Sequence, residues 1–335
     1  MLLSVLLAAG TAVAAPITTL TVAVITPSTI DAPVVVGIAR GIFEQHGLGI
    51  RTTSVPNGFE ALRRLIDGTV QIGAAGATAV AQTLGQGAPL RVIAVTNGDA
   101  TGRVPTDPYV AVVAGKMSGI RAGHLEDLRG KRVGVRRGSD FHQYLLAALA
   151  AKGLDAGDVT IVDSADLLGA LQGGRADAIV TSEPGASRIL LAVGGTLVQR
   201  DGNHMQFLEL QAASARYLAT HPGTITRYLT AFAETAQFVR THPDETTDIM
   251  IHQQLNSVPR DLVRAAVGFL IRDVRISKVT VQGAQAGSEF AVKIGALRQP
   301  PTFREMFDPR ILRQVEREHP EFFRDLPPIP DALKL

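Results

Sequence analysis

The side chains best placed to do chemistry fall in four short polar segments, each between a β-branched or small-residue run and a helical pattern. They are Thr26-Pro27-Ser28-Thr29-Ile30-Asp31, Gly73-Ala74-Ala75-Gly76-Ala77-Thr78, Arg137-Gly138-Ser139-Asp140 with Phe141 beside it, and Thr181-Ser182-Glu183-Pro184. A helix N-terminus presents free N–H groups and the positive end of the peptide dipole, so it favours an anion. Ser28, Thr29, Thr78 and Ser139 add hydroxyls, the small residues Gly76 and Ala77 let backbone N–H groups come close, and Arg137 adds a full positive charge. Asp31 and Glu183 have the opposite sign and suit an ammonium group, so a molecule carrying both an anionic and an ammonium group would use both; Glu183 is equally open to a structural role as cap or ion-pair partner. Asn57, ahead of a helix, and Asn97, after the run at 90–96, complete the candidate ligand-binding set. Each segment alone reads as an ordinary capped turn. Together they point to non-covalent recognition of a small charged molecule.

Catalytic patterns are scarce. The chain has no HExxH, GxSxG, GxxxxGK[ST] or GxGxxG after its first strand, so the usual zinc-hydrolase, nucleophile-elbow and phosphate-loop chemistries lack their signatures. The eight His are scattered, and none pairs with another at the three- or four-residue spacing of a helical metal site. With no Cys, disulfides, thiolate metal sites and cysteine nucleophiles are excluded. No catalytic residue, metal or cofactor is expected.

The elements that must hold these segments are legible in the periodicity. Runs at 20–25 (LTVAVI), 90–96 (LRVIAVT), 132–135 and 159–162 read as buried strands. Val34, Val35, Ile38, Ile42 and Phe43 recur at helical spacing up to Gly47, which predicts one helix with a C-terminal glycine stop. Asn57-Gly58-Phe59-Glu60 predicts an N-cap. Such alternation predicts an α/β protein with mainly parallel sheets, built from two units in series at about 20–96 and 128–199. The polar stretch 97–108 reads as a linker. Beyond Gly202 the texture turns helical, with an apolar stripe through Ile225, Tyr228, Leu229, Phe232, Ala236 and Val239. Thr220-His221-Pro222 and Thr241-His242-Pro243 both read as a cap followed by a first-turn proline, and the tail from Pro300 reads as a surface wrap.

The 335 residues carry 33 basic and 31 acidic side chains and are 46% hydrophobic, which excludes a disordered chain. A net charge of +2, with no basic run longer than two residues, argues against nucleic-acid binding. Residues 1–14 form an uncharged apolar segment ending in Ala12-Val13-Ala14, which predicts a signal peptide cleaved after Ala14 and a mature chain in the periplasm. The run is too short to span a bilayer, and no Cys follows it to take a lipid anchor.

Several segments then carry a resemblance. Ala39-Arg40-Gly41-Ile42-Phe43 with Gly47-Leu48, Gly87-Ala88-Pro89-Leu90, Asp127-Leu128-Arg129-Gly130-Lys131-Arg132-Val133-Gly134-Val135 and Ala170-Leu171-Gln172-Gly173-Gly174-Arg175-Ala176-Asp177-Ala178, leading to Glu183-Pro184, occur in this order. Across about 20–193 the chain resembles periplasmic substrate-binding proteins of the nitrate/sulfonate/taurine class, including its NMT1/THI5-like branch. Where many relatives place an aromatic residue before the Glu-Pro pair, this chain has Ser182, and it has no Trp, which weighs against sandwiching a pyrimidine ring.

The resemblance implies a periplasmic-binding-protein fold of type II, with two α/β lobes and a hinge crossed twice. One lobe would hold 15–108 plus 214–335 and the other 109–213, with 109–114 and 207–213 as the crossing strands. It further implies a monomeric solute-binding component of an ABC importer, partnered by a permease and an ATPase, that closes on a sulfonate-, taurine- or nitrate-like anion and does not turn it over. The alternatives are an enzyme on the same fold, of the THI5-like or menaquinone-pathway kind, and a sensory ligand-binding domain. Zero Cys weighs against the THI5-like enzyme, and an export signal against both enzymes.

Overall fold

A computed structural model describes residues 17–103 and 108–335. The expected signal segment and most of the mid-chain 103–107 therefore lie outside the described residues.

The first sheet starts from β1 (Thr18–Ile25), whose buried LTVAVI core is the strand that the sequence predicts. The expected single helix is two. Gly41, in the left-handed region at φ 67°, ends α1 (Ala32–Ala39) and starts α2 (Ile42–Gln45) in a new direction. Then come β2 (Leu48–Val55), α3 (Gly58–Ile66), β3 (Ile72–Gly76), α4 (Ala77–Gly85) and β4 (Leu90–Asn97). Gly73 to Gly76, expected as a junction, are the body of β3 itself. Their small side chains let α3 lie close, since a Cβ on Gly58 would sit 2.7 Å from Ala75 Cα.

The chain then crosses to a second sheet. It contributes β5 (Val110–Ala114), β6 (Arg132–Val135), α5 (Asp140–Ala150), β7 (Thr160–Asp163), α6 (Leu167–Gln172), β8 (Ala178–Ser182), α7 (Gly185–Val193) and β9 (Thr196–Arg200). It returns as β10 (Glu209–Ser214) and runs through α8 (Ala215–Thr220), α9 (Pro222–Thr241), α10 (Pro243–Met250), α11 (Arg260–Gly268), α12 (Lys278–Lys293), α13 (Phe303–Met306) and α14 (Arg310–Glu318).

The strand orders are β2-β1-β3-β10-β4 and β7-β6-β8-β5-β9. The sheets are mixed: β1 pairs in parallel with β2 and β3, β6 does so with β7 and β8, and β10 and β5 run antiparallel to their neighbours. The fold is two α/β lobes, one per sheet. The boundary expected at 213/214 is corrected by β10, which pairs with β3 and β4 along its whole length and so belongs to the first lobe from Glu209 onward.

The helical stripe of α9 is buried as its spacing predicts, and His221 and His242 stand at the N-cap positions of α9 and α10 ahead of a first-turn proline, with no capping hydrogen bond from either side chain. The tail is no mere wrap, because Leu312, Val315 and Phe323 join the core of the first lobe.

Candidate functional site

A cleft of about 620 Å³ opens where the C-terminal ends of β1 and β3 face those of β6 and β8. Such strand ends are where open α/β sheets gather ligands. Of the residues expected at the site, Ser28, Asn57, Gly76, Ser139, Phe141 and Glu183 line it. Thr29, Asp31, Ala77, Thr78, Asn97 and Arg137 do not. Their places explain why.

Thr29 and Asp31 are buried behind the wall. The Thr29 carbonyl accepts from Arg272 Nη2, and Asp31 Oδ2 accepts from the Ile25 amide at 2.8 Å. Asn97 ties the crossing segments together, donating to the Phe207 carbonyl at 2.9 Å and accepting from the Ile271 amide at 2.8 Å. Thr78 is fully buried beneath Asp140, and Ala77 is buried beside it. Arg137 is exposed, while its neighbour Arg136 lines the cleft and lies over the Phe59 ring of the other lobe, 5.0 Å from the centroid. β6 ends at Val135 and Arg137 already lies in the turn that leads to α5, so of this pair Arg136 alone lines the cleft.

Several lining side chains are structural first. Asn57 Oδ1 accepts from the Glu60 amide at 3.1 Å and caps α3. Ser28 Oγ accepts from the Ile30 amide and lies 3.1 Å from the Tyr109 hydroxyl, joining the lobes. Ser139 caps α5, accepting from the His142 amide at 3.4 Å, and donates to the Arg136 carbonyl at 2.7 Å. Ser139→Ala is therefore expected to lose about 1 kcal/mol of stability in denaturant unfolding, as removal of an N-cap does. A loss below about 0.3 kcal/mol would show that the cap is idle. Glu183 makes an ion pair and capping contacts. Arg200 Nη2 donates to it, as do the Ser187 amide at 3.1 Å and the Ser187 hydroxyl at 3.0 Å.

The charges left facing the cleft are more telling. Asp166 caps α6 through the Gly169 amide at 2.8 Å. Asp140, held by Thr78, is pushed up to about 6 by burial, and Glu209 goes well above the ordinary carboxylate range through burial and the nearby Asp140 and Asp31. Arg136 and Arg188 also line the cleft, and among the described residues neither has an ion-pair partner. The positive charge available to a ligand is therefore on the second lobe. Apolar walls come from both lobes: Ile25, Ile30 and Phe59 from one, and Tyr109, Phe141 and Leu168 from the other, with Phe207 of the return crossing stacked on Phe141 at 5.7 Å.

Behind the cleft lies a feature that sequence reading missed. Arg272 is only 2% exposed and donates to the carbonyls of Thr29, Ile30 and Thr96. Its charge acts on Asp31, Glu209 and Tyr109. A glutamate inside the apolar FLELQAA run was the signal available for Glu209. Among the described residues no group of His, Cys, Asp and Glu is arranged to hold a metal ion.

A curated relative, the putative aliphatic sulfonates-binding protein of Escherichia coli (strain K12), is 31% identical over 170 residues, which is 50% of this chain. The chain thus spans about half the length of that relative, 48% of it. Among solved structures, the alkanesulfonate-binding protein SsuA from Xanthomonas axonopodis pv. citri, bound to MOPS, superposes with a TM-score of 0.72 at 20% identity. The superposition covers 86% of this chain and 96% of that one. The desulfurization enzyme DSZB matches with a TM-score of 0.67 at 16% identity over 90% and 99% of the two chains. At such identities these structures bear on the fold alone, which both a binding protein and an enzyme use. The sequence match to the NMT1/THI5-like family runs over residues 29–246, from the first wall of the cleft through both crossings and into α10, and the chain belongs to that family.

Proposed function

We propose that the protein is the extracytoplasmic solute-binding component of an ABC importer, holding a small organic anion between its lobes for delivery to a membrane permease. The observation that carries this reading is the pair of cleft arginines, Arg136 and Arg188, without ion-pair partners among the described residues. The cleft acids are meanwhile engaged as caps or pushed toward their neutral forms. A sulfonate is favoured, because the curated relative and the SsuA structure are named for sulfonates. An ammonium group finds less support than the sequence suggests, since Asp31 lies behind the wall and Glu183 is paired with Arg200. The protein works as a periplasmic monomer that holds its solute without turnover. Among its described residues no helix is long and apolar enough to cross a membrane.

Calorimetric titration with methanesulfonate, butanesulfonate, taurine and nitrate tests the reading. At least one sulfonate should bind. Arg136→Met and Arg188→Met should each weaken it roughly ten- to hundredfold, the worth of about 1.5–3 kcal/mol for a hydrogen bond to a charged group. Arg137→Met, outside the cleft, should leave affinity unchanged. Binding of amines or neutral solutes with no anion bound would sink the proposal.

A further inference from the structure

Helix α5 of the second lobe packs against α4 and α12 of the first, and its first residue reaches across. Asp140 Oδ1 accepts from the Thr78 amide at 3.2 Å and from the Thr78 hydroxyl at 3.1 Å. Thr78 is fully buried and Asp140 nearly so. The first lobe has made room for this carboxylate: a Cβ on Gly76 would lie 1.9 Å from Asp140 Oδ2 and 2.6 Å from its Cγ. Asp140 is not needed to cap its own helix, because Ser139 does that. Other contacts flank it across the same boundary. Gln82 Nε2 donates to the Gly138 carbonyl at 2.6 Å, Thr78 Oγ1 lies 3.2 Å from Gln143 Oε1, and the His142 ring meets Phe290 edge-on at 5.3 Å.

We propose that Asp140 is a tethered bridge across the cleft, holding the lobes together with no solute bound and closing the first turn of α4 to the solute's own charge. A glycine on one lobe and an acid on the other form a matched pair, and neither has this use within its own lobe. A solute's anionic group is then left to Arg136 and Arg188, and solute binding adds little compaction to a particle already drawn in. This inference rests on the two-lobed cleft and not on which solute fills it.

Small-angle scattering of the solute-free protein tests it. Wild type should scatter as the two lobes joined through Asp140 and Thr78 do in the structure. Asp140→Asn should match it, because the amide oxygen still accepts from both Thr78 donors. Asp140→Ala, which removes the bridge, and Gly76→Ala, which expels it, should both show a larger radius of gyration while melting cooperatively. A wild-type profile that fits only an opened particle overturns the proposal whatever the variants do. So does a cooperatively melting Asp140→Ala or Gly76→Ala protein whose profile superimposes on wild type. No solute is added, so failure here leaves the binding reading untouched, and failure of the titrations leaves the bridge untouched.

Discussion

Replacing Arg272 by methionine is expected to cost roughly 3–5 kcal/mol of folding stability, the range for removing one partner from a buried set of charges. Methionine keeps much of the stem's bulk, so the loss comes from the guanidinium. Without it the carbonyls of Thr29, Ile30 and Thr96 each lose a donor, Thr29 alone keeping the Ala32 amide at 3.2 Å, and a buried carbonyl left unpaired costs roughly 1–3 kcal/mol. Asp31 and Glu209 also lose a neighbouring cation. Those acids recover part of the deficit by taking up protons, so the loss should be smaller at about pH 5 than at about pH 8. Urea unfolding of wild type and variant at both values measures it. A deficit under about 1 kcal/mol at the higher pH would mean that the carbonyls find other donors and the arginine is dispensable.

Acidification itself is expected to stabilise the wild-type protein. Burial pushes Asp31 and Asp140 up to about 6 from an ordinary 3.8, raises Glu209 well above its ordinary range, and lifts Glu316 to about 7. For each, the folded pKa exceeds the unfolded one, so between them the folded chain holds a proton that the unfolded chain has released. Stability from these groups is fully present below the unfolded value, near pH 4, and is lost as pH rises through about 6 to 7. A two-unit shift is worth about 3 kcal/mol at 1.36 kcal/mol per unit. Asp31, Asp140 and Glu209 repel one another when ionised, so their contributions are not additive. The gain from about pH 8 to about pH 5 should therefore be on the order of 2–3 kcal/mol, with His142 and His204, whose pKa values burial lowers, working against it, and Asp31→Asn should flatten part of the slope. Further down, surface acids such as Glu60, held near 2 by Arg63, turn the trend over. Urea midpoints that rise with pH between about 5 and 7 would contradict the account.

The sequence makes some elements legible because their physics is local. The strands at β1, β4 and β6 are β-branched runs bounded by turn formers, and α9 is a long apolar stripe between proline starts. β2 escapes notice because its LGIRTTSV residues are mostly polar and partly exposed, as suits a sheet edge. β3 is misread as a loop because glycine and alanine serve there for close helix packing, a need set by the tertiary neighbour. At the site, Ser28, Ser139 and Glu183 are legible because strand-to-helix junctions are marked by caps. The choice between Arg136 and Arg137 is not legible, since it depends on how the chain leaves β6 and turns into α5. Nor is the relation of Asp140 to Gly76, which exists only when the two lobes meet.

The insertion of β10 between β3 and β4 also sets an order of assembly. The second sheet is built from one uninterrupted stretch, β5 to β9, and can form as soon as that stretch is complete. The first sheet cannot. Its β3 and β4 keep their facing edges unpaired until the chain has passed through the whole second lobe and supplied β10, so the lobe begun first is finished last. Such edges are templates for pairing with other chains. In a nascent molecule the first lobe therefore cannot be complete before the second has been made, and β10 is the segment whose arrival ends the exposure of these edges.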